Sequence, residues 1–515
     1  MSSAVSRFGH YERVTNPEQP GQPDERGLVF PSDAEGRRST SATGRAVVAD
    51  ALRGVDPTGA RAAEQATAWR SDYLAHMRRL VEAGLSSPED AVSIARDGLA
   101  SLSGRMRVAD ADGEHRLSEW PEVAHGISGD LGTGPVSGVE VIGNGEPLRE
   151  LVLPYRGERL RGPGVRRRVE KWVAAGVVEP SVGEAVEAVL DNPDWLRLEG
   201  RTVAVLGAGS EMGPLPALVR WGARVAAVDL ARPEIWRRTL DLAKRGAGTL
   251  VAPVAGGAAG PLDEVAGVDL LTAVPAVARW LAEQPGELVV GNYVYADGAV
   301  NLRLSAAVDE LTTRLQAERD DVALGFLATP TDVFAVPGEA VAASTAAYEG
   351  RGARSKVVGR PLRTLTGGRL LRRQYVAGSD PGVNDSLVAQ QGPNYALAKR
   401  VHRWRATVAR AEGATVSMNV APPTRTRSVV KNRALAAAYA GAHRFGVEVF
   451  DPSTSNVLMA ALLVHDLHTG GGPRHEHPWQ DEAYAAAHGG LWRTAYAPRS
   501  ALGLAAVLGY GAARG

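Results

Sequence analysis

The feature that most constrains this chain is a strand, a glycine-rich turn, a short helix and a second strand, all within about 30 residues. Val203-Ala204-Val205-Leu206 reads as a buried strand, Gly207-Ala208-Gly209-Ser210-Glu211-Met212-Gly213 as the turn, and a short helix follows to Trp221. Arg224 to Val228 is the second strand, and it ends in Asp229. Glycines let the backbone approach a pyrophosphate closely, and a helix N-terminus offers amides and a positive dipole end. A carboxylate about 20 residues after the turn can accept both ribose hydroxyls of an adenosine. Gly207, Gly209, Ser210, Glu211, Met212, Gly213 and Asp229 are therefore the candidate cofactor-binding residues. Asp229 would repel a 2′-phosphate, which favours NAD, while Arg232 nearby leaves NADP open. S-adenosylmethionine-dependent methyltransferases also join such a turn to an acid ending the second strand, so a methyltransferase is the alternative.

Strand-like and helical segments alternate beyond this point: Thr249 to Val254, Val268 to Leu281, Glu287 to Val290, Leu302 to Ala317, Val322 to Leu327. That alternation predicts an α/β fold, a doubly wound parallel sheet with helices on both faces. A polar, Arg-rich insertion, 338–390, interrupts it. It resumes with helix Tyr395 to Glu412, strand Ala414 to Val420, helix Val430 to Phe445, strand Val447 to Phe450 and helix Ser455 to Leu467. Residues 1–45 read as a disordered tail and 46–195 as a mainly helical region, with Ser87-Pro88-Glu89-Asp90 starting a helix. Residues 196–470 form the α/β domain and 471–515 a C-terminal extension. Net charge is zero, which argues against a nucleic-acid partner. Without cysteine there is no disulfide, thiolate nucleophile or Cys-ligated metal. The start of the chain lacks a signal-peptide pattern and no run of 18 apolar residues occurs, so the expected location is cytoplasmic.

Tyr395-Ala396-Leu397-Ala398-Lys399 places a phenol and an ammonium one helical turn apart on the same face. Such a lysine stabilises phenolate and is expected to bring the tyrosine's proton exchange toward neutral pH. Only five lysines occur in 515 residues, which makes the pairing notable.

With these landmarks in order, the chain resembles the short-chain dehydrogenase/reductase superfamily over residues 200 to 470. Gly207, Glu211 and Gly213 fall on the three glycine positions of its opening turn, with Glu211 replacing the middle one. Val289-Val290-Gly291-Asn292 resembles the strand ending in its Asn-Asn-Ala-Gly element. Asn301 opens the next helix, and Val322 to Leu327 leads into Thr329-Pro330-Thr331. Gly392-Pro393-Asn394-Tyr395 also resembles enoyl reductases, and Met418 to Thr426 resembles the strand and loop beside the nicotinamide, with Pro423 where glycine is usual. The resemblance implies a Rossmann-like fold and an NAD(P)-dependent oxidoreductase acting on a carbonyl, alcohol or activated alkene. It implies Tyr395 as general acid or base and Lys399 as its partner on the nicotinamide ribose. It implies a polarising hydroxyl from Thr329, Thr331 or Ser386, Asn301 as anchor of a relay water, and Asn292, Pro422 and Thr426 near the cofactor. A non-catalytic descendant, supported by Glu211 and Pro423, is the third reading.

Arg351, Arg354, Arg360, Arg363, Arg369, Arg372 and Arg373 crowd the insertion and could clamp an anionic small-molecule substrate, although a solvated surface explains them as well. His465, His468, His475 and His477 gather with Asp466 and Glu476, but no helical His-Glu-x-x-His is present and no metal is expected. Leu491, Trp492 and Tyr496 read as packing for a homo-oligomer or a pocket wall.

Overall fold

The computed structural model describes residues 26–110, 113–120, 135–352, 361 and 363–511. Arg354 and Arg360 of the insertion lie outside them. The first elements are β1 (Gly27–Val29), α1 (Thr40–Arg53), α2 (Pro57–Glu64), α3 (Trp69–Gly84), α4 (Pro88–Arg105), β2 (Arg107–Ala109) and β3 (Glu114–Arg116). Ser87 caps α4 by accepting from the Asp90 amide at 3.1 Å, as the sequence predicts. The expected tail does not extend to residue 45. β1 pairs with β2, and α1 begins at Thr40 with Ser39 as its cap, because Leu28, Val29, Phe30 and Val47 supply buried apolar surface.

β4 (Val136–Ile142) follows, then the hairpin β5 (Val152–Tyr155) and β6 (Glu158–Arg161), and the helices α5 (Pro163–Ala174) and α6 (Pro180–Asp191). The core continues as β7 (Arg201–Leu206), α7 (Leu215–Trp221), β8 (Arg224–Val228), α8 (Pro233–Arg245), β9 (Thr249–Ala255), α9 (Leu262–Val265), α10 (Leu270–Ala282), β10 (Glu287–Asn292), α11 (Gly298–Glu318) and β11 (Val322–Ala328). After it come β12 (Val333–Val336), α12 (Gly338–Glu349), β13 (Gly382–Asp385), α13 (Pro393–Ala411) and β14 (Val416–Val420). The chain closes with α14 (Arg427–Lys431), α15 (Arg433–Gly441), α16 (Pro452–His468), α17 (Pro478–Ala483) and α18 (Pro498–Gly509).

Seven strands form the main sheet in the order β14-β11-β10-β7-β8-β9-β4. The first six are parallel, and their order is that of a doubly wound Rossmann fold. Such strands are buried on both faces, which is why they read as unbroken apolar runs. Ala204, Leu206, Leu288, Val290, Leu324 and Phe326 join one core, and Val203, Val205, Val289 and Ala323 the other. α10, α11 and α13 cover the first face, with α1–α4 as a further layer outside them. Gly98 of α4 lies flat on Trp404 of α13, where any Cβ would enter the indole ring. The second face is covered by α7, α8 and α16, with α6 packed against α16.

Three expectations change here. β4 is not part of a separate region: it pairs antiparallel with β9 along its full length, as the seventh strand of the sheet. Val447 to Phe450 is extended, but its amides bond to loops, Glu448 to the Gly489 carbonyl and Phe450 to the Pro423 carbonyl, so it adds no strand. Asn432 breaks the expected Val430–Phe445 helix, because its side chain accepts from the Leu435 amide and starts α15 afresh. A hairpin, β12 antiparallel to β13, brackets the insertion, whose described residues include α12. Among the described residues, no helix is long and apolar enough to cross a membrane.

Candidate active site

The C-terminal ends of β7, β8, β10, β11 and β14 share one rim of the sheet, and the chain reverses direction across it between β7 and β10. Ligands of open α/β sheets bind at such a switch point. Gly207 leaves β7 with φ +83, a left-handed conformation suited to glycine, and its amide and that of Ala208 both donate to the Val228 carbonyl. A Cβ on Gly207 would stand 2.9 Å from the Tyr293 carbonyl oxygen, so the loop after β10 closes directly on the turn. Gly209 donates to Asp229 Oδ2 at 2.7 Å, and the Leu230 amide donates to Asp229 Oδ1 at 2.8 Å. Burial raises the Asp229 pKa, against these two amides and the charges of Arg238 and Arg232. Arg238 also donates to the Gly209 carbonyl at 3.0 Å.

Ser210 and Gly213 close the turn on itself, the Ser210 amide to Gly207 O and the Gly213 amide to Ser210 O. Met212 packs its side chain on the second core. The Asn456 amide group donates to the Gly213 carbonyl, and α7 starts only at Leu215 after Pro214. With no N–H on Pro214 or Pro216, the helix terminus after Gly213 offers fewer amides than expected. Glu211 reaches across to the loop after β14. Its Oε2 accepts from the Arg427 amide at 2.9 Å and its Oε1 from Arg427 Nε at 3.0 Å. Asp229 could take ribose hydroxyls and Gly207 and Gly209 allow the close approach of a dinucleotide, whereas Glu211 puts an anion where a phosphate is expected.

Tyr395 lies in the first turn of α13, which Pro393 opens. The loop after β10 that touches Gly207 also brings the Tyr295 ring edge-on to Tyr395, 6.3 Å between centroids. Lys399 Nζ stands 6.0 Å from the Tyr395 ring centre. Thr329, just past the end of β11, lies near enough to the Tyr395 phenol for its hydroxyl to favour the phenolate. Its hydroxyl also pairs with that of Thr331 at 3.0 Å, and Gln391 donates to Thr331. Ser386 does not join them: its hydroxyl donates to Asn384 Oδ1 at 2.7 Å. Asn301 of α11 is buried, its Oδ1 accepting from the Ala296 amide at 3.1 Å and its Nδ2 without a partner among the described residues. One turn on, Ser305 links the Asn301 carbonyl to His402 Nε2 at 3.0 Å, and His402 is three residues past Lys399 on α13.

Burial pushes the Tyr395 pKa up to about 12, opposed by the Thr329 hydroxyl and aided by Asp332. Burial also pulls Lys399 down to about 8, with Asp332 opposing. The expectation that Lys399 brings the phenol toward neutrality is thus reversed, since desolvation of the phenolate outweighs the distant ammonium. Behind the pair, Asp332 accepts from Arg403 at 2.9 Å and Arg400 at 3.3 Å, and Arg403 donates to Glu482 at 2.6 Å. No sequence pattern marks this network, although Arg403 stands at the same helical spacing beyond Lys399 that Lys399 stands beyond Tyr395.

The remaining candidates sit nearby or elsewhere. Asn292 ends β10 and is buried, accepting from the Val294 amide at 3.4 Å. The Pro422 carbonyl accepts from Thr424, and the Thr426 hydroxyl pairs with Ser428 at 2.9 Å just before α14. Tyr439 of α15 lies within electrostatic reach of Tyr395, Arg427 of α14 bonds Glu211, and the two helices pack on each other, so they border the site as its roof. Arg351 stacks on Tyr348, 3.3 Å to the ring centre, and lies 5.1 Å from the Tyr496 ring, while Arg373 pairs with Glu349 and its backbone bridges to Tyr496. The histidines do not converge: His465 pairs with Asp466, His475 with Asp481, and His468 stacks on Trp195. Trp492 is neither an oligomer surface nor a pocket wall; it is buried between Phe334 and His488, with Glu179 bonding both His488 and Arg493. Two surface cavities, of about 320 and 270 Å³, are lined by none of the site residues.

No protein-family model and no curated protein matches the chain. Solved structures that overlap it include an A1-type ketoreductase, at 17% identity and TM-score 0.30, covering 52% of this chain and 47% of that one. A short-chain dehydrogenase/reductase family oxidoreductase from Burkholderia thailandensis overlaps at 16% identity and TM-score 0.29, covering 52% and 85%. A mutant short-chain dehydrogenase/reductase of Serratia marcescens overlaps at 15% and 0.30, covering 57% and 99%. The chain spans about half the length of the ketoreductases it matches. The strand order described above, rather than these overlaps, carries the fold assignment.

Proposed function

We propose that the chain is an NAD(P)-dependent oxidoreductase of short-chain dehydrogenase/reductase type acting on a carbonyl or alcohol, or on an activated alkene. The observation that supports this best is the meeting of Thr329, Tyr395 and Lys399 beside the loop that also closes on Gly207. When bound, the nicotinamide supplies or takes up a hydride. Asp229 would hold the ribose hydroxyls of the adenosine. Thr329, steadied by Thr331, donates to the substrate oxygen and orients it toward the phenol. With its pKa near 12, Tyr395 carries its proton at neutral pH and acts as the acid that protonates the oxygen as it gains charge. Lys399, cationic below about pH 8, stabilises the phenolate left behind, and Asn301 and His402 line the route by which the proton is replaced. Asp229 and the flanking Arg238 keep both NAD and NADP as candidates. The substrate is a small molecule.

A methyltransferase has no task for Tyr395, Lys399 and Thr329 together. A non-catalytic role is favoured by one observation, the Glu211 carboxylate seated in the turn. Tyr395→Phe separates the readings. Dinucleotide binding, read by calorimetry, is expected to persist while carbonyl reduction falls by about 10²- to 10⁴-fold. Turnover close to wild type would end the proposal.

A further inference from the structure

We propose that Arg427 is a phosphate-binding residue of the dinucleotide site and that Glu211 holds its place as an internal stand-in anion. The inference rests on the dinucleotide reading above. Two adjacent oxygens of Glu211 are received by one backbone N–H and one guanidinium N–H of the same residue. A carboxylate and a phosphate present that same pair of acceptors, so a receptor built for one accepts the other. The hydroxyls of Thr426 and Ser428 flank Arg427 and bond each other at 2.9 Å, two further donors that can turn toward an anion.

The turn itself has little left to offer. The amides of Gly207 and Ala208 go to Val228 O, that of Gly209 to Asp229, that of Ser210 to Gly207 O, that of Met212 to Ser210 Oγ at 3.4 Å and that of Gly213 to Ser210 O, which leaves the Glu211 amide uncommitted among the described residues. A phosphate entering between turn and roof therefore finds its one charged donor on the roof. The ion pair is exposed, with 28% of the Glu211 and 66% of the Arg427 side chain open to solvent, so water already competes for it and it holds loosely. On exchange Arg427 keeps an anionic partner, and Glu211 turns outward into solvent. This accounts for a carboxylate at a turn position where it would otherwise repel the ligand: its charge is compensated before exchange and removed from the phosphate path after it. The same bond ties the glycine turn to α14 and the roof over Tyr395.

The test is calorimetric titration of NAD⁺ and of NADP⁺ into the wild-type chain, Glu211→Ala, Arg427→Ala and the double variant. Glu211→Ala is expected to tighten binding by about tenfold, and Arg427→Ala placed in that background to weaken it by about tenfold. If Arg427 served only to neutralise Glu211, its removal from the Glu211→Ala background would leave the dissociation constant unchanged, and the proposal would be overturned. Equal affinity across all four proteins would also overturn it while leaving the dinucleotide reading intact. Failure of all four to bind either dinucleotide would remove both. Because both side chains lie at the surface, all four proteins should fold, which circular dichroism checks.

Discussion

The two sides of the candidate site are fastened by ion pairs of opposite character. Beneath Tyr395 and Lys399, Asp332 and Arg403 are each only 2% exposed, and Glu482 completes the network. Across the cleft, Glu211 and Arg427 join the glycine turn to the roof from the surface. A buried network is held in one arrangement, since removing one member strands the others without water. An exposed pair is worth about 0–1 kcal/mol and exchanges partners readily. On the proposed reading the contrast separates the tasks: the proton-handling groups sit on a fixed base, while the cofactor side is joined by a pair that exchanges partners.

The largest expected effect tests the fixed base. Arg403→Ala leaves Glu482 without its cation and Asp332 with only the 3.3 Å bond from Arg400, and should cost about 3–5 kcal/mol in denaturant unfolding. A loss below about 1 kcal/mol would show that the network does not anchor α13. Next comes the choice of hydroxyl. Thr329→Val should lower turnover by about 10²-fold, as removal of a preorganised donor does, with little change in dinucleotide affinity. Ser386→Ala should leave turnover within about twofold of wild type, since its hydroxyl is committed to Asn384. The reverse ranking would move the catalytic hydroxyl into the insertion.

A smaller effect follows from Lys399. Its pKa is near 8 in the fold against an ordinary 10.5, so at pH 7 it is charged in both states and its burial penalty is in full force. Between pH 8 and 10.5 the unfolded chain holds a proton that the folded chain has released, so this group's contribution to stability rises with pH across that window. Lys399→Met should therefore be more stable than wild type at pH 7, with the advantage shrinking by pH 10. An advantage that stays constant across this range would place Lys399 in water. Smallest of all, Arg427→Ala should change folding stability by less than about 1 kcal/mol, in contrast to Arg403→Ala. An equal cost for the two would erase the distinction between the sides.

Much of the frame was legible because it is local. The strands β7 to β11 and β14 are apolar runs dictated by burial on both faces, Ser87 announces its helix, and Tyr395 and Lys399 share a face by spacing alone. What was hidden depends on partners far away in the chain. Glu211 meets Arg427 across 216 positions, and Asp332 meets Arg403 across 71. Val447 to Phe450 has the composition of a strand, yet its neighbours are loops and composition cannot name a neighbour. The Tyr395 pKa went the other way for the same reason: spacing places an ammonium nearby, but only the surrounding fold decides how dry the phenol is.

The pairing of β4 with β9 has a practical consequence. Cutting the chain near residue 195, where composition marks a boundary, would strip the outermost strand from the sheet. Thr249–Ala255 would then present a row of unsatisfied amides and carbonyls, an invitation to intermolecular association. The Rossmann core is thus not portable: whatever is grafted, truncated or expressed in pieces must take Val136–Ile142 along with it.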